Sequence, residues 1–235
     1  MLKLYQFPAP KFFPNFSPFC VKLETYLKMA EIPYETIYTL NLRKNPKRLM
    51  PYIEYEGQIK GDSTLIIDFL VEKHGDKVDF WLTEEQKAIS RAFISMVEDH
   101  ITPFGVYYRW VDAKGWPQFR DLIFAKAPKF IKWLFSGKMT KKVKLRMNLQ
   151  GIGRFTNDEM IHLINKDLHA LSVYLAEKPF FFGDNPSMLD ISVFSVVGNL
   201  IKAPIETSLK ELTLKPQFAN LHAHTERMLN KFYTK

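Results

Sequence analysis

The sequence predicts a tandem of two domains: an α/β domain of order βαβ–ββα over residues 1–76, then an all-helical domain over residues 83–235. Three observations carry this. Strand-like and helix-like patterns alternate through the first 75 residues, no convincing strand follows Thr83, and the composition shifts across residues 76–82. That short segment is the expected linker, with Phe80 and Trp81 expected to pack between the halves.

Each element has a local cause. Leu2 to Phe7 reads as a buried strand. Phe19, Leu23, Tyr26, Leu27 and Ala30 then recur at helical spacing on one face, and Ile32-Pro33 breaks the helix. Tyr34 to Tyr38 is rich in β-formers, and the polar stretch Asn41 to Arg48 suits a loop or short irregular helix. Tyr52 to Tyr55 and Gln58 to Lys60 flank Glu56-Gly57 as a hairpin. Ser63 to His74 forms a second helix with Leu65, Ile66, Phe69 and Leu70 inward, closed by Lys73, His74 and Gly75. Helices are then expected over about 83–112, 117–136, 157–177, 187–200 and 216–232, punctuated by Gly and Pro.

Composition narrows the class. At 46% apolar and 25% charged, the chain matches a globular protein. Its longest apolar run, Ile191 to Ile201, falls short of the roughly 18 residues that cross a bilayer. No secretory leader pattern opens the sequence, and a single cysteine suits a reducing compartment, so a cytoplasmic location is expected. The net charge of +8 is unevenly spread: residues 114–148 hold 10 Lys/Arg against one acid, Asp121, interleaved with Trp116, Phe119, Phe124, Phe130, Trp133 and Phe135. Membrane-surface contact through this window is an alternative to a solvated helix face, which is the favoured reading; no nucleic-acid partner is expected. None of the six histidines falls into a ligand pattern with cysteine or carboxylates, so no metal is expected.

The chemistry concentrates at three points. Ser17-Pro18-Phe19-Cys20 opens the first helix like a C-x-x-C site whose first cysteine has become serine. With Ser17 as N-cap and Pro18 at the first helical position, the next amides are free to face a ligand. There a thiolate gains from the helix dipole and from a hydroxyl donor. The alternative is a plain cap in which Ser17 bonds the Cys20 amide. Met50-Pro51 precedes the hairpin; a thioredoxin-type pattern would make it cis, against an ordinary trans proline at an edge strand. At Asp62-Ser63, the serine and the helix amides suit a carboxylate, and Asp62 the neighbouring amine.

With these motifs in this order, the sequence resembles the cytosolic glutathione transferases, whose thioredoxin-like N-terminal domain precedes an all-helical one. Pro14 to Leu27 looks most like the metaxin and failed-axon-connections branch and its bacterial relatives. The resemblance implies that Ser17 takes the catalytic place and Phe19 lines the thiol pocket. It further implies that the Met50 backbone pairs with the cysteinyl part of glutathione beside Pro51, and that Asp62 and Ser63 hold the γ-glutamyl end. Arg43 meets the glycyl carboxylate, with Lys47 as rival. Glutathione as co-substrate, a small electrophile and a homodimer are implied by the same likeness. Tyr5 and Cys20 remain alternatives to Ser17 as the thiol activator. Tyr107, Tyr108, Arg109 and Trp110 are the candidate second-substrate pocket, against plain core packing. Ser187 to Asp190 resembles the family's buried capping box, with Asp in place of the usual Glu or Gln. A non-catalytic docking protein and a Cys20-dependent thiol oxidoreductase are the alternatives to a transferase.

Overall fold

The computed structural model describes residues 1–45, 47–125 and 129–234, with the side chains of residues 129–136 and 138 outside that description. The N-terminal half contains β1 (Leu2–Gln6), α1 (Pro18–Met29), β2 (Tyr34–Tyr38), β3 (Tyr52–Tyr55), β4 (Gln58–Gly61) and α2 (Ser63–His74). The sheet order is β2-β1-β3-β4. β1 runs parallel to β2, with Leu4 opposite Thr36, and antiparallel to β3, with Tyr5 opposite Tyr52. The β3–β4 hairpin closes through Glu56 and Gly57, both at positive φ (51° and 75°), the geometry a two-residue turn between right-twisted strands requires.

α1 buries Leu23, Tyr26 and Leu27 under the sheet. α2 buries Ile66, Ile67 and Leu70. Leu65 does not point inward as expected: it is 51% exposed, because Leu65, Ile66 and Ile67 are consecutive and one helix face cannot take all three.

The second half comprises α3 (Glu84–Ser95), α4 (Thr102–Trp110), α5 (Gly115–Ile123), α6 (Lys129–Leu149), α7 (Asn157–Leu175), α8 (Met188–Val193), α9 (Asn199–Lys202), α10 (Ser208–Thr213) and α11 (Ala219–Phe232). A π-helical turn, Met96–Ile101, joins α3 to α4 as one rod, and a second, Phe194–Gly198, joins α8 to α9. The helix expected over 117–136 is two helices, because Phe124 leaves the helical region (φ −105°, ψ 22°). Gly115 lets α5 begin against α4: a Cβ there would lie 1.9 Å from the Tyr108 carbonyl oxygen. The six-residue α10, capped by Thr207, carries too little periodicity to be read from sequence. Phe130, Trp133 and Phe135 lie outside the described side chains.

The two halves share a core. Leu2, Leu4, Leu23, Leu27 and Ile53 pack with Phe180, Ile191, Phe194 and Met228. Lys22 of α1 pairs with Glu98 of the first π turn at 2.7 Å across this interface. The same ammonium donates to the Thr64 hydroxyl at 2.9 Å, while Glu98 accepts from the Ser192 hydroxyl at 2.8 Å. The linker contributes Val78 and Leu82, not Phe80, which is 69% exposed; the Trp81 indole N–H donates to the Val78 carbonyl.

Asp79 accepts the Met188 amide at 2.9 Å, and burial raises its carboxyl to about 6. A carboxyl raised on folding favours the folded state below its unfolded pKa, and that contribution is lost as pH rises through about 6. Asp79→Asn keeps an acceptor for Met188 and removes the charge. It should therefore unfold in urea at higher stability than wild type at pH 7, by about 1–3 kcal/mol, with the gap closing near pH 4. A variant less stable than wild type at pH 7 would contradict this.

Candidate functional site

Ser17 sits half-buried at the N-cap of α1 in extended backbone (φ −86°, ψ 119°), with Pro18 as the first helical residue. Its hydroxyl makes no cap hydrogen bond. The Cys20 and Val21 amides donate instead to the Ser17 carbonyl, each at 3.1 Å. The Ser17 side chain acts on the Cys20 thiol electrostatically, in the direction that lowers its pKa. Cys20 is fully buried, and burial pushes its thiol up to about 12 against the smaller opposing pull of the Ser17 side chain and the Phe7 backbone. A reactive cysteine needs the opposite shift and solvent access, so the environment suits a quiet thiol.

Met50-Pro51 is cis. Met50 packs with Tyr5, Cys20 and Tyr52, which brings the Pro51 segment against the first turn of α1. Tyr5 stacks on Tyr52 with ring centroids 4.4 Å apart and donates its hydroxyl to Glu54 at 2.9 Å. Burial, then that carboxylate, raise its phenol to about 12, so Tyr5 is a weak donor toward a thiolate and already has a partner. Phe19 is half-buried on the first turn of α1.

Asp62 is the N-cap of α2 at positive φ (83°), and its Oδ1 accepts the Thr64 and Leu65 amides at 3.1 and 3.2 Å. Ser63 is buried at the first helical position, while Asp62 is exposed. The Lys22–Thr64 hydrogen bond ties this helix start to α1. Arg43 and Lys47 lie exposed on the neighbouring loop, which Asn45 organises. The Asn45 side chain accepts the Lys47 amide at 3.0 Å and donates to the Leu49 carbonyl. Gly61 presses on this amide: a Cβ there would lie 2.2 Å from Asn45 Oδ1. Sequence reasoning missed Asn45; the Asn-Pro dipeptide was its one turn signal.

Of the four aromatic and cationic residues expected to form one pocket, only Tyr108 and Arg109 line a common cavity, shared with Leu200, Ile205 and Leu209. Tyr108 is a core residue, 2% exposed, with its hydroxyl on Asn157 at 2.8 Å, and Tyr107 packs on the same helical core. The Arg109 guanidinium is committed to the Phe16 carbonyl (3.1 Å) and to Asn199. Trp110 joins an aromatic wall beside the Ser17 loop: it stacks on Trp116 at 5.3 Å and meets Phe119 edge-on at 5.1 Å, while Phe16 meets Phe119 at 5.7 Å and Phe12 at 5.6 Å, and the Arg109 guanidinium lies over the Phe119 ring at 5.8 Å.

A family model described as Glutathione S-transferase N-terminal domain matches residues 18–115, and one described as Glutathione S-transferase, C-terminal domain matches residues 164–228. The isoprene-epoxide–glutathione S-transferase of Rhodococcus sp. (strain AD45) is 30% identical over 213 residues, 87% of this chain and 88% of that protein. This chain belongs to the glutathione S-transferase family. Failed axon connections of Drosophila melanogaster is 31% identical over 99% of the chain, and the chain spans 58% of that relative's length. Metaxins are also among the relatives. Among solved structures, glutathione transferase GSTFuA3 from Phanerochaete chrysosporium superposes with a TM-score of 0.67 at 14% identity, covering 100% of this chain and 98% of that one. The glutathione S-transferase fold thus accounts for both halves. The N-terminal family match opens at Pro18, directly after the serine at the helix cap.

Proposed function

We propose that this glutathione S-transferase relative binds reduced glutathione against the N-terminal domain and uses the Ser17 hydroxyl to stabilise its thiolate. The thiolate then attacks a small electrophile held against the half-buried rings of Phe16, Trp110 and Trp116, which buried Phe119 backs. The supporting observation is a serine hydroxyl left uncommitted to capping at the first turn of α1. A free thiol with pKa about 8.5 is only a few per cent ionised at pH 7. A hydroxyl donor and a helix N-terminus both favour the anion, and so raise the reactive fraction. Attack on an epoxide, the electrophile class named for the Rhodococcus relative, forms a C–S bond as a ring C–O bond breaks, and the alkoxide takes a proton from water.

In this reading the Met50 backbone pairs with the cysteinyl unit beside Pro51. Asp62 holds the γ-glutamyl ammonium with the oxygen its cap leaves over, and Ser63 with the α2 amides holds the carboxylate. Arg43 or Lys47 meets the glycyl carboxylate, and the molecule works as a homodimer. Calorimetric titration with reduced glutathione tests the site. Wild type should bind at micromolar to millimolar Kd, and Asp62→Asn, which keeps the cap, should weaken binding by about tenfold or more. No heat of binding in wild type would remove the transferase reading.

The second reading, a docking protein of the same fold, draws on α6, where Lys141, Lys142, Lys144 and Arg146 are exposed beside exposed Leu145 and Leu149. Salt-dependent binding to anionic vesicles without glutathione binding would favour it. Among the described residues no helix is long and apolar enough to cross a membrane.

A further inference from the structure

We propose that Asn199 and Arg109 of the helical domain are positioning residues that clamp the Phe16–Ser17 peptide and so aim the Ser17 hydroxyl. This clamp presupposes the thiolate-stabilising role of Ser17 proposed for the N-terminal site.

The Phe16–Ser17 peptide unit is held at both polar ends. Its N–H donates to Asn15 Oδ1 at 3.0 Å. Its carbonyl accepts from Arg109 Nη1 at 3.1 Å and from Asn199 Nδ2 at 3.2 Å. Asn199 Nδ2 also donates to the Asn15 carbonyl at 2.9 Å, and Asn15, fully buried, reaches back to the Phe7 carbonyl at 2.7 Å. Arg109 Nη2 donates to both the side-chain oxygen and the carbonyl of Asn199, at 2.6 and 3.1 Å, which fixes the amide so that its N–H₂ faces the loop. Pinning the peptide plane sets the frame from which the Ser17 side chain projects, since φ and χ1 are the torsions left between the plane and the hydroxyl.

Two further features favour aiming over simple cohesion. Among the described residues the Arg109 guanidinium hydrogen-bonds only to oxygens of Phe16 and Asn199, lies over the Phe119 ring at 5.8 Å and meets no carboxylate, and burial lowers its pKa to about 10. A half-buried cation without a carboxylate is a costly way to join two surfaces, and apolar packing would do that at lower cost. Asn199 also lies directly after the π turn Phe194–Gly198. A π turn inserts one residue and so rotates the next helical turn by about 100° relative to an unbroken helix, which brings Asn199 onto the loop. Gly198, the last residue of that turn, gives the loop room: a Cβ there would be 3.2 Å from the Phe13 ring.

The test is steady-state turnover of an epoxide with glutathione, together with the pH titration of enzyme-bound glutathione by thiolate ultraviolet absorbance, for wild type, Asn199→Asp and Arg109→Lys. Asn199→Asp keeps the oxygen that receives Arg109 and loses the N–H donor to the loop. The expected result is a bound thiol whose pKa is lowered in wild type and rises in Asn199→Asp. Turnover should fall about tenfold or more while the KM for glutathione stays within about twofold, since a misplacement near 1 Å can cost about a hundredfold in rate. The melting temperature of Asn199→Asp should fall, because its new carboxylate oxygen faces the Asn15 and Phe16 carbonyls, so turnover, KM and thiol pKa are read well below that transition. Arg109→Lys, which keeps a donor for the Phe16 carbonyl, is read in the same way should Asn199→Asp not fold. A wild type that lowers the thiol pKa beside variants with unchanged turnover and unchanged pKa overturns the clamp and leaves Ser17 standing. A wild type that binds glutathione without lowering its thiol pKa overturns the Ser17 role and the clamp with it.

Discussion

Replacing Ser17 by alanine is expected to lower turnover at pH 7 by about 10- to 30-fold: one hydrogen bond to a charged acceptor is worth about 1.5–3 kcal/mol, and the loss is bounded by the roughly 3% of a thiol of pKa about 8.5 that ionises unaided at that pH. Glutathione affinity should change little, because the peptide is recognised along the loop, the Pro51 segment and the α2 N-terminus, while the hydroxyl acts on sulfur alone. The stability cost should be small as well, since the Ser17 side chain does not cap α1. The lost hydrogen bond sets the sign of the pH dependence. Without its donor the bound thiolate is less stable, so the thiol pKa rises toward the free value of about 8.5. The deficit should therefore be largest near neutrality and shrink as pH climbs past that value, where the thiol ionises unaided. Measuring kcat/KM from pH 6 to 9.5 in wild type and Ser17→Ala would show this as an alkaline displacement of one limb. Parallel profiles with equal rates would assign thiol activation elsewhere.

The parts of this molecule that were legible in the sequence are those governed by neighbours along the chain. The β1–α1–β2 run comes from apolar spacing and from Pro33, and the hairpin from Glu56-Gly57, whose positive φ angles the dipeptide accommodates. Ser17 and Asp62 are local motifs and occupy the helix caps where local rules put them, whereas the cis Met50-Pro51 bond follows from the thioredoxin-type pattern and not from local preference, which favours trans. The illegible parts depend on contacts far apart in the chain. Arg109 looked like a pocket cation because its helix carries aromatics; only the fold brings it within 3.1 Å of a carbonyl 93 positions earlier. Asn199 reaches Asn15 across 184 positions, from a helix phase altered by a π turn that no periodicity announces. Phe80 was expected inside because it is aromatic and sits in a linker, yet the buried pair is Val78 and Leu82, which the turn around Asp76 directs inward.

Asp190→Ala should be the most destabilising single change in the helical domain, at about 3–5 kcal/mol in urea unfolding. Asp190 is fully buried and accepts four hydrogen bonds. Oδ2 takes the Ser187 amide at 2.8 Å and hydroxyl at 2.7 Å, reaching back three residues across the start of α8. Oδ1 takes the Phe181 amide at 3.0 Å and His224 Nε2 at 2.9 Å, so one carboxylate joins the turn before α8, the helix itself and α11. Truncation would leave those donors in a dry interior with no partner, and the loss is set by that desolvation more than by the cavity. Asparagine would not rescue it fully, because its amide N–H₂ would confront one set of donors. Ser187→Ala, which removes one hydroxyl, should cost only about 1 kcal/mol. The residue touches no part of the N-terminal site, so the Asp190→Ala protein that remains folded in the cold should turn over close to the wild-type rate. Its signature is then the reverse of Ser17→Ala: stability lost with chemistry kept, against chemistry lost with stability kept. A stability loss below about 1 kcal/mol would mean that water or repacking satisfies the four donors, and would contradict the role of this carboxylate as the organising group of the helical domain.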